Sequence, residues 1–332
     1  MERMKGFFYL GCAFGLAGTS VVAATFVNGE LGTFTITSVS LLISLVCLLP
    51  FCSRKLFRTI RSLAARDWVL LFSQAVFGVF LFRMFLLLGL ARTSSSEAGI
   101  LTGATPAITV LFAMLLLREK TNVTRILGVL CTVFGILLIQ GLFLPGSRFT
   151  YEHLQGNLLV LCAAACESLF NVLSRAAAAL RVNKQQNIHP AVQTVLVSAM
   201  AWTISFIPSL SEHPLASLAG IGWLGWLALV WYGPVVTALA FVCWYAGIRR
   251  CSASTAAAFS GMMPFTALIL SVWLLKEETG WHQWMSGLLV IAGMVLIGSM
   301  RTGSQAEKAQ RSITSPKGNN PSNRMASYQA KD

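Results

Sequence analysis

Apolar residues in this chain come in runs of helix length, separated by short polar steps. The runs fall at about 6–27, 32–52, 68–91, 95–117, 122–143, 156–178, 188–210, 221–247, 252–275 and 281–300. A helix of about 20 apolar residues is long enough to cross the hydrocarbon core of a bilayer. Beyond residue 300 the pattern stops. Residues 301–332 are polar, rich in Ser, Asn, Gln and Lys, and are expected to form a disordered tail. The pattern predicts an all-α, polytopic membrane protein with ten transmembrane helices.

The ten runs divide into two similar sets of five. Ser94, Ser96, Ala98, Gly103, Pro106, Leu116, Leu117 and Glu119 recur 158 residues later as Ser252, Ser254, Ala256, Gly261, Pro264, Leu274, Leu275 and Glu277, with Arg118 answered by Lys276. Gly6 and Cys12 recur 150 residues later as Gly156 and Cys162. A repeat of this length points to duplication. We therefore expect a first repeat at 1–143, an external connecting loop at 144–155, a second repeat at 156–300 and the tail at 301–332. Because each repeat has an odd number of spans, the second enters the membrane in the opposite sense. Inverted repeats around a midplane site are the outline of a secondary transporter working by alternating access.

Composition agrees with a lipid environment: 55% of the 332 residues are hydrophobic and 11% are charged, against about 25% charged in soluble domains. The net charge of +13 does not indicate nucleic acid, since the basic residues lie between apolar runs and form no aromatic-interleaved patch. It reflects topology instead. With a cytoplasmic N-terminus, only Arg92, Arg148 and Lys276 of the 25 Lys and Arg fall outside, and Arg83 falls within a span. The positive-inside rule then places both termini in the cytoplasm and the protein in the cell (plasma or inner) membrane. The apolar run after Arg3 and Lys5 is read as a retained first helix, too long for a signal core. The eight cysteines lie in spans or at their edges, which argues against a disulfide framework. Cys162 and Cys166 share a helix face but lack a third ligand, so no metal site is assigned. No phosphate loop, zinc spacing or Gly-x-Ser-x-Gly is present, so neither an enzyme nor a cofactor is expected.

The paired elements Gly103–Pro106 and Gly261–Pro264, the basic–Glu pairs Arg118-Glu119 and Lys276-Glu277, and Gly128, Gly135, Gly287 and Gly293 give the chain a resemblance to the drug/metabolite transporter superfamily, in its EamA-type ten-helix branch. The resemblance covers about residues 6–300. It implies a transporter of small metabolites, often an exporter, with a cavity between the halves. It leaves the substrate, the coupling ion and the oligomeric state open. Gly128 and Gly287 are 159 apart while Gly135 and Gly293 are 158 apart, so the register there shifts by one.

An ionisable side chain deep in a span is costly and marks function by default. Arg83 and Glu167 qualify, at similar depths of roughly 12–17 Å from the outer surface at a helical rise of about 1.5 Å per residue. Two readings stand. Either Arg83 takes a substrate carboxylate and Glu167 an amine or a proton, or the two form a structural ion pair between spans 3 and 6. In both they should face one cavity and meet, directly or through a bridge. Asn171, one turn past Glu167, shares that cavity on either reading, and Phe241 and Trp244 would take an apolar side chain. The expected partners are a small-molecule substrate, most simply an amino acid or related zwitterion, and the bilayer, with protons as a coupling ion through Glu167. Efflux of a lipophilic cation, needing only Glu167 and aromatic walls, is the alternative.

Pro106 and Pro264 remove a backbone donor in mid-span. With Gly103 and Gly261 they are hinge or gating candidates, or benign kinks. Ser94 with Glu97 reads as a capping box. Trp231 and Tyr232, beside Pro234, suit either an aromatic wall for a substrate or an interfacial belt, and the belt is the preferred reading. Glu119 and Glu277 oppose the dipoles of the helices they end, with Arg118 and Lys276 as compensation.

Overall fold

A computed structural model describes residues 2–117, 122–139, 151–183, 188–251, 256 and 259–299. The expectations for Arg118, Glu119, Ser252, Ser254, loop residues 144–150 and the tail lie outside the described residues. Among these the chain is helical, with no strand beyond one isolated bridge at Asn28 and Leu31. In chain order the helices are α1 (Glu2–Thr25), α2 (Thr33–Ser62), α3 (Ala65–Leu90), α4 (Ser95–Thr102), α5 (Thr105–Leu117), α6 (Val123–Ile139), α7 (Tyr151–Asn183), α8 (Pro190–Ser209), α9 (Pro214–Gly220), α10 (Trp223–Gly247), α11 (Met262–Leu274) and α12 (Trp281–Ser299).

Six of these helices, α1, α2, α3, α7, α8 and α10, are long and apolar enough to cross a membrane; α6, α11 and α12 are shorter apolar helices. Two ends differ from the hydropathy pattern. Helix α2 continues to Ser62 rather than 52. Arg54, Lys55, Arg58 and Arg61 end the apolar run, but they are good helix formers and do not end the helix. Helix α7 already begins at Tyr151, inside the stretch expected to be loop. Apolar patterning marks the thickness of the lipid, not the hydrogen-bonded end of the helix.

The fourth apolar run is broken. Gly103 N–H bonds Ile100 O and Ala104 N–H bonds Leu101 O, both at 3.0 Å, and a new helix starts at Thr105. Pro106 therefore stands in the first turn of α5, where the missing N–H is no loss. Of the backbone groups it affects, the Thr102 carbonyl accepts the Thr105 hydroxyl at 2.9 Å. The mid-span position expected of Pro106 is thereby corrected to the first turn of α5. Gly103 is needed at the break for space: a Cβ there would stand 2.6 Å from Val290 Cγ1.

Helices α3 and α10 each carry a π-helical segment, Val76–Leu81 and Trp231–Leu239. At an offset of 158 the two overlap. In α10 the cause is visible: Pro234 takes one donor out of the ladder and its ring pushes the preceding turn outward.

Close helix crossings also come in corresponding pairs. A Cβ at Gly6 would stand 3.0 Å from Arg250 Cβ, and one at Gly156 2.8 Å from Arg92 Cβ. Gly247 faces Leu10 as Gly89 faces Val160. A Cβ at Gly135 would meet Ser286 O at 2.9 Å, and one at Gly293 would meet Gly128 O at 2.6 Å. The offsets are 150 for α1 against α7 and 158 for the rest. This pairing makes Ser286, not Gly287, the counterpart of Gly128 at the 158-residue offset, and removes the one-residue shift read from the glycines alone.

Carboxylates tie helix ends together. Glu277 accepts the backbone N–H groups of Ser95 and Ser96, each at 3.0 Å, at the N-terminus of α4. It sits at the positive end of that helix, where a carboxylate is favourable. The expectation that it opposes a dipole and needs Lys276 is corrected. Glu212 does the same for α2, accepting from Phe34 N at 3.1 Å and Thr35 N at 2.7 Å. Only half of the Ser94–Glu97 capping box forms. Ser94 Oγ accepts Glu97 N–H at 3.2 Å. The Glu97 carboxylate turns instead to Thr93 Oγ1 at 3.1 Å, Asn157 Nδ2 at 3.2 Å and His153 Nδ1 at 3.5 Å.

Candidate functional site

Residues of α1, α3, α7, α10 and α11 enclose a cavity with about 680 Å³ of space not filled by protein, part of it open. Arg83, Glu167, Asn171, Phe241 and Trp244 all line it. The five side chains singled out for the substrate thus meet in one place, although they come from three helices.

Arg83 is 4% exposed. It sits just beyond the π segment of α3 and reaches across to α2 and α10. Its Nη1 donates to Ser40 Oγ at 2.8 Å, its Nη2 donates to Thr237 Oγ1, and its guanidinium lies 4.3 Å from the centre of the Tyr232 ring. Each hydroxyl passes its own proton to a carbonyl of its own helix: Ser40 to Ile36 O at 2.7 Å and Thr237 to Tyr232 O at 2.8 Å. Their lone pairs are therefore free to face the cation. The Thr237 bond spans five residues, the spacing the π segment provides.

Glu167 is held from a different direction. Its Oε2 accepts the Thr105 hydroxyl at 2.9 Å, from the first turn of α5. Next to it, Ser168 Oγ donates to Thr105 O at 3.0 Å and contacts the Thr109 hydroxyl. Among the described residues no ion pair joins Glu167 to Arg83. Both line the cavity, each with its own neutral partner.

Much of the rest of the wall is aromatic, with small and aliphatic side chains between the rings. Phe170 stacks on Phe241 with centroids 5.6 Å apart, and Phe14 meets the edge of Trp244 at 5.5 Å. Gly78 makes room for the Phe170 ring, which a Cβ would overlap. Trp244 is 5% exposed and its Nε1 has no partner among the described residues. The Asn171 amide bonds no described residue. Behind this wall lies a buried polar cluster. Gln74, fully buried, accepts at Oε1 from Tyr245 Oη at 3.0 Å and Gln193 Nε2 at 3.1 Å. Arg249 Nη2 donates to Gln193 Oε1 at 3.2 Å.

Gly103 and Pro106 do not line the cavity, but Thr105 between them holds Glu167. Gly261 and Pro264 open α11 and are buried, with Met263 between them at the cavity wall.

The profile of the EamA-like transporter family matches residues 4–141 and again residues 154–299. The chain belongs to the EamA-like transporter family. It is a membrane-embedded, multi-pass transporter. An uncharacterized transporter, YetK of Bacillus subtilis (strain 168), is 30% identical over 300 residues, covering 88% of this chain and 86% of that one. An aromatic amino acid exporter, YddG of Ancylobacter novellus, is 28% identical over 221 residues, covering 67% of this chain and 71% of that one. A solved crystal structure superimposes with a TM-score of 0.60 at 20% identity, over 89% of this chain and 96% of its own, a likeness of fold.

Several side chains of this EamA-like cavity escaped sequence reasoning. Tyr232, read as a belt residue, is 1% exposed and stacks on Arg83. The signal was there: it sits two residues before Pro234, so the widened turn rolls it inward. Trp231 beside it is exposed, with Nε1 donating to Thr19 Oγ1 at 2.9 Å, as suits an interfacial residue. Phe14 and Phe170 carried no distinguishing signal among 21 phenylalanines. Ser40, Thr105 and Thr237 are hydroxyls in apolar helices, and their roles depend on rotation about the helix axis.

Proposed function

We propose that this protein exports a small zwitterion, an amino acid with an aromatic or bulky apolar side chain, by alternating access between two inverted repeats of five spans. The observation that carries the reading is the cavity itself. It holds one buried cation with only neutral partners, one carboxylate, no ion pair between them, and an aromatic wall beside both. A zwitterion entering lipid depth loses several kcal/mol per charge unless each end finds a partner. Arg83 takes the carboxylate, with its fork suited to two parallel hydrogen bonds. Glu167 takes the ammonium. Phe170, Phe241 and Trp244 take the side chain. The name of the Ancylobacter relative supports both the substrate class and the direction. The paired crossings and the double family match support the two-repeat reading, and the bias of Lys and Arg supports cytoplasmic termini in the cell membrane.

The test is counterflow in proteoliposomes loaded with phenylalanine, challenged with a panel of amino acids, aromatic amines and lipophilic cations. Exchange restricted to zwitterions with large apolar side chains supports the proposal. Exchange of amines and lipophilic cations, with no response to amino acids, favours the second reading. That reading draws on the aromatic wall and on an Arg83 already engaged by Ser40 and Thr237.

A further inference from the structure

Gln74 lies on α3 one turn before Gly78, toward the end of the cavity away from Arg83. Ser174 lies one turn past Asn171 on α7, and Tyr245 follows Trp244 on α10. The cluster they form with Gln193 of α8 thus stands between the cavity and the α2–α3 turn, the side read as cytoplasmic from Lys and Arg. All four side chains are at most 2% exposed. Gln74 Oε1 accepts from Tyr245 Oη at 3.0 Å and Gln193 Nε2 at 3.1 Å, with Ser174 Oγ at 3.5 Å. Arg249, half-buried, donates to Gln193 Oε1 and extends the cluster toward that side. Four helices meet at one amide.

The partners of Arg83 form a matching tie on the other side of the cavity. They join α3, α2 and α10, while the partners of Gln74 join α10, α8 and α3. On the two-repeat reading α10 answers α3, and α8 answers α2, so the two ties use the same pairs of helices with the repeats exchanged. Gln74 and Tyr232 are themselves 158 residues apart, the offset of that repeat. Along α3 the two ties are about 14 Å apart at about 1.5 Å per residue, with Gly78 and Phe82 of the cavity wall between them. The Gln74 cluster is also incomplete. Its Oε1 takes every donor, while Nε2 meets no acceptor among the described residues. A buried amide N–H left without a partner weighs against the state that buries it.

We propose that the Gln74 cluster is a latch, and that the cavity opens toward the α2–α3 turn only when Gln74 parts from Gln193 and Tyr245. The latch presupposes alternating access, as proposed above, but no particular substrate. Interhelical hydrogen bonds hold the four helices together when it is closed. Opening lets water reach the amide and supply the acceptor that Nε2 lacks, so the closed state is favoured without being locked.

The experiment is sided thiol labelling of the full chain in sealed vesicles of either orientation. Ser20→Cys puts a near-isosteric thiol on the cavity wall, and a membrane-impermeant maleimide reports its exposure. Peptide mass spectrometry separates this label from the eight native cysteines. Ser62→Cys, exposed at the α2–α3 turn, marks the relevant face in each preparation. Adding Gln74→Leu should raise the labelling rate of the cavity thiol from the marked face about tenfold and lower it from the other, because the bonds removed favoured only one of two states. Tyr245→Phe keeps the ring and removes one donor. It should act in the same direction by a smaller factor, and it carries the test should Gln74→Leu fail to fold. Unchanged labelling, a rise confined to the opposite face, or a rise from both faces together as loosened packing gives, overturns the proposal. No substrate is present in the assay, so a failure of phenylalanine counterflow would count against the zwitterion reading alone.

Discussion

The two charged ends of the cavity are built on different principles. Arg83 is surrounded by groups that are complete without it. The hydroxyls of Ser40 and Thr237 and the Tyr232 ring hold the guanidinium across three helices, and the widened turn of α10 supplies the geometry. Glu167 is tied to a single hydroxyl at a helix break, and that hydroxyl is already wanted by Thr102 O. The first arrangement fixes a charge in place. The second leaves the carboxyl on one hydroxyl beside a break in the helix.

The comparison breaks most sharply at its charges. Arg83→Gln should lower phenylalanine counterflow on the order of 100-fold, because two charge-assisted hydrogen bonds contribute about 1.5–3 kcal/mol each before rearrangement. The variant should still fold, its three native partners being neutral. Next in size is packing at the repeat-related crossings. Gly293→Leu would drive a side chain into Gly128 O, which already stands 2.6 Å from the site of a Cβ. Overpacking of this kind costs about 1–3 kcal/mol and should appear as a lower melting temperature in detergent, with Gly135→Leu close behind. Gly287→Leu, outside the paired crossing, should cost less, and an equal loss would break the register assigned here.

A smaller effect sharpens the comparison from the outside. Glu277→Gln weakens a carboxylate cap on the first N–H groups of α4 and should destabilise the protein by about 1 kcal/mol. Thermal unfolding would measure it, and Ser94→Ala, removing half a capping box, should cost about as much or less.

What could be read from sequence was whatever stands out against an apolar background. Arg83 and Glu167 are conspicuous because lipid makes charge expensive, and Gly103, Pro106, Gly261 and Pro264 because they recur at one offset. The partners of those charges were not legible. Ser40, Thr105 and Thr237 look like any hydroxyl in a membrane helix, and a π segment shifts the helical face by a fraction of a turn that periodicity does not register. That shift is why Tyr232 lies under Arg83 rather than at the interface. Pro106 was visible, but its place in the first turn of a new helix depended on a break at Gly103–Ala104 that hydropathy runs straight through. Glu277 was visible too, yet its partner lies 182 residues earlier in the chain at Ser95.

The central claim is that the cavity reads both ends of a zwitterion. The most direct measurement is phenylalanine counterflow set beside that of its decarboxylated amine, in the wild-type protein and in Arg83→Gln. We expect the wild type to exchange phenylalanine well and the amine poorly, and Arg83→Gln to lose phenylalanine while its handling of the amine stays the same. Phenylalanine exchange by Arg83→Gln at the wild-type rate would contradict the claim.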